Sequence, residues 1–233
     1  VLSCEENGEK VPNSSVSHII KNTQGVSRDF LSFNLNYSYD ADGRIKNING
    51  IESLRSIRCN FYYNGQNIIG QYDNLTTSEH RTMQIILDAD SNTIAFYKDE
   101  YSNVVFNYAL IEGRKKLILS YNVTNGDTLF ANPIYKDGNL IYCVSMGIRH
   151  FLFYEGNIPN ISGINTLPIL LALGKYDKVL GILPYTIGSE NANLITKDSA
   201  VGDRNYAYEY HFDALRRIDY MLLNGTTTTF KYY

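Results

Sequence analysis

Phe33-Asn34-Leu35-Asn36-Tyr37-Ser38-Tyr39-Asp40-Ala41-Asp42-Gly43-Arg44-Ile45 is the stretch that decides the fold class. Phe33, Leu35, Tyr37 and Tyr39 alternate with Asn34, Asn36, Ser38 and Asp40, so one strand face is apolar and the other polar. Asp42-Gly43 then supplies the positive φ of a tight turn, and Ile45 re-enters the sheet. The same alternation runs through Ile57-Cys59-Phe61-Tyr63, Met83-Ile85-Leu87, Val104-Phe106-Tyr108-Leu110 and Leu117-Leu119-Tyr121-Val123. It returns in Leu140-Tyr142-Val144-Met146, Tyr206-Tyr208-Tyr210-Phe212, Ile218-Tyr220-Leu222 and Thr226 to Tyr233. Between these runs lie Asn64-Gly65, Glu112-Gly113, Asn125-Gly126, Asp137-Gly138 and Asn224-Gly225, all hairpin signals. The pattern predicts an all-β fold, an antiparallel up-and-down meander closed into a barrel-like body or strongly curled. At roughly 16 residues per strand and turn it predicts around a dozen strands.

The hairpin has relatives within the chain. Tyr39-Asp40-Ala41-Asp42-Gly43-Arg44-Ile45 aligns with Phe212-Asp213-Ala214-Leu215-Arg216-Arg217-Ile218, and more loosely with Leu87-Asp88-Ala89-Asp90-Ser91-Asn92-Thr93-Ile94. The shared form is an aromatic or Leu, an Asp able to bond turn N–H groups, turn residues, then Ile. In the second copy Arg216 stands where the first has Gly43 and must enter the turn without glycine's freedom.

Composition agrees. The 233 residues include 20 Tyr and 10 Phe but no Trp, with only 5 Pro; tyrosine suits a half-buried pleated surface. A formal net charge of -3 excludes the basic field that a nucleic-acid-binding protein needs. The length suits a single β domain.

The first residues read differently. Val1-Leu2-Ser3-Cys4 has the form of a bacterial lipobox, with Cys4 the residue that takes the lipid, and Glu5-Glu6-Asn7-Gly8-Glu9 is an acidic run leading to Pro12-Asn13-Ser14-Ser15. Residues 1–27 are therefore expected to be a lipobox remnant and solvated tether, and residues 28–233 the barrel-like domain. The alternation breaks from Asn157 to Arg204. There Thr166, Pro168 and Gly174 frame a short helical insert near residues 166–183, and Gly188 to Asp203 reads as an exposed loop. The insert is too interrupted by charge and proline to span a membrane.

Taken together, the acidic-flanked Cys4, the Phe33–Ile45 hairpin, the Leu/Pro-rich stretch Leu167 to Pro184 and the closing strands from Tyr206 to Tyr233 resemble a family of uncharacterised Bacteroidetes lipoproteins with a porin-like β fold. The resemblance implies a barrel and an outer-membrane, lipid-anchored location on the surface or periplasmic face. It implies no known activity or ligand. An integral barrel would seldom need a lipid anchor, and Thr229-Phe230-Lys231-Tyr232-Tyr233 puts Thr and Lys in the register where such barrels end in alternate hydrophobic residues. A water-soluble body with its apolar face inward is the expectation.

Candidate chemistry is sparse. No nucleophile, phosphate-loop or dinucleotide pattern occurs, so no enzyme and no cofactor are expected. Glu209, His211 and Asp213 share a strand face and form a weak metal candidate against the alternative of a solvated polar face. His18, His80 and His150 have no ligand-spaced partner and read as structural or surface residues. Cys59 and Cys143 lie on apolar strands and are expected to be buried free thiols, although an oxidising envelope would allow a bridge. Asp127-Thr128-Leu129 and Asp198-Ser199-Ala200, in expected turns or loops, resemble Bacteroidetes O-glycosylation sites. Tyr62, Tyr63, Asn64 and Tyr206, Tyr208, Tyr210 are the places where solvent-facing phenols could stack on a sugar or a protein ligand. The expected function is binding or adhesion at the cell envelope, the alternative being an accessory subunit of an outer-membrane complex.

Overall fold

The structure, a computed structural model, describes residues 20–26, 32–89, 93–160, 191–202 and 205–233. The first strands are β1 (Ile20–Val26), β2 (Ser32–Tyr39), β3 (Ile45–Glu52), β4 (Arg55–Asn64), β5 (Asn67–Asn74) and β6 (Glu79–Leu87). Then come β7 (Ile94–Lys98), β8 (Asn103–Ile111), β9 (Arg114–Asn122), β10 (Thr128–Lys136) and β11 (Asn139–Ser145). β12 (Ile148–Phe153), β13 (Lys197–Ala200), β14 (Asn205–Phe212), β15 (Ile218–Leu223) and β16 (Thr226–Tyr232) complete the set. Each strand pairs antiparallel with its chain neighbours, and β1 pairs with β16, so the meander closes into a sixteen-strand barrel. Closure satisfies the backbone groups that a free edge would leave open.

The inner face of the wall is mostly apolar, with polar side chains such as Lys116, Ser120, His150 and Asp198 buried among the apolar ones. Leu35, Ile48, Cys59, Ile68, Ile85 and Tyr97, all 0–3% exposed, belong to one inward apolar cluster that continues through Val104, Leu117, Phe130, Cys143 and Leu152. Asn34, Asn36, Lys46, Arg58 and Gln71 stand exposed on the alternate positions. A membrane-spanning barrel inverts this arrangement, with an apolar outer band and polar lumen. The inward side chains described here are therefore shielded from water rather than lining an aqueous channel.

Several expectations change. The strand count is sixteen rather than about a dozen, because many turns are only two residues long. The barrel also starts earlier than residue 28. Ile20–Val26 has a largely polar sequence, yet β1 supplies the ladder between β2 and β16, and its Thr23 hydroxyl shares a buried 2.8 Å hydrogen bond with Tyr37. Within the expected loop from Gly188 to Asp203, Lys197–Ala200 is strand β13, held by β12 and β14. On β11 the inward residues are Cys143 and Ser145 rather than Tyr142 and Val144; Tyr142 instead meets Phe151 on the outer wall, ring centroids 5.2 Å apart. Cys59 and Cys143 are free and buried. Cys4, His18 and the helical insert near residues 166–183 lie outside the described residues.

One rim of the barrel explains the tyrosine content. Tyr39 of β2 donates its hydroxyl to the Ile20 carbonyl at 2.6 Å, and Tyr63 of β4 to Ile45 at 2.6 Å. Tyr108 donates to Ile94, Tyr135 to Leu117, Tyr154 to Leu140, Tyr210 to Ile195 and Tyr232 to Ile218, at 2.5–2.8 Å. In β4 the residue opposite Ile45 is Tyr62, by extension of the Asn47–Asn60 register, so the phenol one position further on folds diagonally across the rim. Seven of the eight strand pairs repeat the device; in β6 the corresponding residue is the buried Leu87. Each such bond contributes about 1 kcal/mol net, and buries a ring besides. Where the residue before the accepting Ile or Leu is basic, its cation lies over the same tyrosine: Arg44 over Tyr63 and Arg217 over Tyr232 at 4.5 Å, Lys116 over Tyr135 at 5.3 Å.

The internal repeat is reproduced atom by atom. Asp40 Oδ1 accepts the Asp42 and Arg44 N–H groups at 3.0 and 2.9 Å, and its Oδ2 accepts Arg44 Nε at 2.7 Å. Asp213 does the same with Leu215 and Arg217 at 2.9, 2.9 and 2.7 Å. Gly43 has φ 77° and Arg216 φ 61°, so arginine does occupy the left-handed position.

Candidate functional site

The β2–β3 turn and the end of β4 enclose a cleft of about 480 Å³, lined by Tyr39, Asp40, Ala41, Arg44, Lys46, Phe61, Tyr62 and Tyr63. Its construction follows from strand alternation. Phe61 and Tyr63 turn inward, while Tyr62 and Lys46 turn outward, so the cleft wraps over the rim and is lined from both faces. Tyr62 is 54% exposed, with its ring available to stack. Tyr63 is occupied by its bond to Ile45 and by the Arg44 guanidinium above it, and Arg44 is itself paired with Asp40 at 2.7 Å and Asp42 at 2.8 Å. Desolvation opposes ionisation of Asp40, but the bonds from Arg44 and the turn N–H groups outweigh it and hold its carboxyl below the usual value. The cleft thus presents an exposed phenol, a solvated ammonium at Lys46 and a fixed guanidinium–carboxylate pair. Those groups can stack on a sugar ring, bond hydroxyls and neutralise an acidic substituent. Asn64, exposed at the end of β4, lies beside this cleft but does not line it.

The second expected platform does not form. Tyr206 is buried, Tyr208 packs against the apolar cluster, and the Tyr210 hydroxyl is bonded to Ile195. Their alternation, read as a solvent-facing row, is the inward face of β14. Nor do Glu209, His211 and Asp213 converge. Asp213 is committed to its turn, and His211 Nδ1 lies 2.7 Å from Asp219 Oδ1 with its ring stacked on Tyr220 at 4.5 Å. Among the described residues no group of three or more His, Cys, Asp or Glu side chains is placed to hold a metal.

A different constellation escaped the sequence reading. Cys143 of β11 faces His150 of β12 in register, and His150 Nδ1 lies 2.9 Å from Asp198 Oδ1 of β13. All three side chains are inward and buried. Each looks isolated in sequence; only the pairing of β12 with β13, across residues 154–196, brings them together. Burial, reinforced by the neighbouring Asp198 charge, pushes the Cys143 thiol up to about 12. A neutral, fully buried thiol is a poor nucleophile, so the arrangement suits a polar tie inside the wall rather than covalent chemistry. His80 is exposed and pairs with Asp73. Of the two Asp-Ser/Thr tripeptides, Thr128 is exposed at the start of β10. Ser199, by contrast, sits within β13, its hydroxyl bonded to Asn205 at 2.8 Å, rather than in a loop.

Fold and cleft together define a closed antiparallel barrel with a largely apolar interior and a polar, cleft-bearing rim. The chain is similar to a porin-like protein from Bacteroides uniformis ATCC 8492, with a TM-score of 0.64 and 15% identity over 92% of this chain and 98% of that one. It is also similar to a porin-like protein from Bacteroides vulgatus ATCC 8482, with a TM-score of 0.51 and 11% identity over 93% and 99% of the two chains. At these identities the likeness is one of fold. No protein-family model and no curated protein matches the sequence.

Proposed function

We propose that this protein is a non-enzymatic binding lipoprotein of the bacterial outer membrane, tethered through Cys4, that takes a glycan or a protein ligand in the rim cleft at Tyr62. The observation that carries the reading is the cleft itself: an exposed aromatic ring beside the free ammonium of Lys46 and the positioned Arg44–Asp40 pair. The acidic-flanked Cys4 supports the anchor, and the likeness in fold to porin-like Bacteroides proteins supports an envelope location. The apolar interior argues against passage of solutes through the barrel.

A glycan and host-matrix array tests the reading. Saturable binding that falls at least tenfold in Tyr62→Ala and in Lys46→Ala is the expected result. Silence on the array, with co-purification of an outer-membrane protein, would replace ligand binding by an accessory-subunit role, and turnover of a glycoside or peptide library would displace both.

A further inference from the structure

In a closed meander, alternate turns lie on the same rim. The rim opposite the tyrosine bonds carries one large apolar side chain in each of six successive turns, from β3–β4 to β13–β14. They are Leu54 (90% exposed), Leu75 (49%), Tyr101 (63%), Val123 (55%), Met146 (60%) and Val201 (48%). Leu54 and Met146 also adopt φ of 69° and 49°, a conformation that disfavours bulky side chains and that Asn or Gly would take more readily. Neither side chain gains burial in return, so local folding does not account for them.

We propose that this rim is a membrane-seating surface, its apolar tips entering the interfacial layer of a lipid bilayer while the wall stays in water. Turn tips along a rim are spaced by about two strand separations, roughly 10 Å, so the tips stand apart from one another, Tyr101 with the Arg81 guanidinium over its ring at 5.0 Å. Among the described residues, tips so spaced form neither a groove for a helix or strand nor a contiguous patch approaching the ~800 Å² per partner of a stable protein interface. A plane of acyl chains accepts separate tips equally well. Among the described residues of these turns the charged ones, Asp99, Glu100 and Asp127, are all acidic, which favours a zwitterionic over an anionic lipid surface.

The chain before β1 permits this orientation. Ile20 begins β1 at the tyrosine rim, and the 16 residues from Cys4 to Ile20 can span up to about 55 Å extended, against roughly 27 Å for an eight-residue strand. A lipid on Cys4 and the apolar tips can therefore occupy one leaflet, which turns the Tyr62 cleft away from the membrane. The proposal rests on the anchored-lipoprotein reading for this reach only.

The full chain carrying Cys4→Ser, and so without lipid, is floated with phosphatidylcholine vesicles. The expected result is co-flotation that falls at least tenfold when Leu54→Asn, Leu75→Ser, Val123→Ser and Met146→Asn are combined, with an unchanged melting curve. Tyr62→Ala should float as the parent does, which separates this surface from the ligand cleft. Adding phosphatidylglycerol should not increase binding. A parent chain that stays with the free protein, a four-site variant that floats equally, or self-association abolished by the same substitutions without flotation would each overturn the proposal.

Discussion

At one rim of the barrel, tyrosine hydroxyls are tied to backbone carbonyls of the neighbouring strand; at the other, side chains of similar bulk stand in water on short turns. Both rims close the same ladders, so hairpin formation does not require either treatment. The difference separates residues that hold the barrel together from residues that the barrel holds out.

Alkali should break the tyrosine rim most completely. Desolvation raises the phenols of Tyr39, Tyr135 and Tyr154, and it raises Tyr232 to about 12. A phenol whose folded value lies above its unfolded value of about 10 contributes stability that is fully present below pH 10. That contribution is lost as pH rises through the folded value, so circular dichroism and phenolate absorbance should change together between pH 10 and 12. Tyr154→Ala, which removes a half-buried ring as well as its bond to Leu140, should cost about 3 kcal/mol by urea unfolding. Tyr63→Phe keeps the ring and should cost about 1 kcal/mol in the same assay.

In the β2–β3 turn, Asp40→Ala should cost a little under 1 kcal/mol at neutral pH, after allowance for its partial exposure. Because the Asp40 carboxyl is held below its usual value, this contribution is present above about pH 4 and disappears as pH falls through the folded value, where wild type and variant should converge. The smallest effect belongs to the opposite rim. Leu54→Asn should leave stability unchanged or raise it by a few tenths of a kcal/mol, since Asn tolerates the left-handed turn and no contact is lost. A large loss there would mean that Leu54 is structural and would erase the contrast between the rims.

The legible part of the fold was β2, β4, β6, β8, β9, β11 and β14 to β16. Leu35-Tyr37-Tyr39 and Cys59-Phe61-Tyr63 alternate cleanly because their inward residues are large and end in the rim tyrosine. β1, β3, β5, β7, β10, β12 and β13 carry weaker signals. β3 begins with Ile45 and then turns to Asn47, Asn49 and Gly50, and β13 is Lys-Asp-Ser-Ala. Their strand character comes from having a paired neighbour on both sides, a tertiary cause that no local window contains. The turn repeat was readable because Asp40 and Asp213 act within four residues. Of the ligand candidates, Tyr62 could be placed at an exposed cleft, but the face of Tyr206, Tyr208 and Tyr210 could not be chosen from alternation, which fixes that two faces differ and leaves open which is inside. The Cys143–His150–Asp198 set depends on registers separated by 48 residues between His150 and Asp198 and had no local trace.

Pairing of Ile20 with Tyr232 has a consequence for how the chain could be rewired. Because the first and last strands are neighbours in the ladder, the ring has no intrinsic beginning. A circular permutant that joins residue 232 to residue 20 through a short linker, and opens the chain at the exposed Asn64-Gly65 turn, preserves every strand pairing while exchanging which hairpin is made first. Its folding rate set against the parent's would reveal whether assembly starts from a particular hairpin or from any of them.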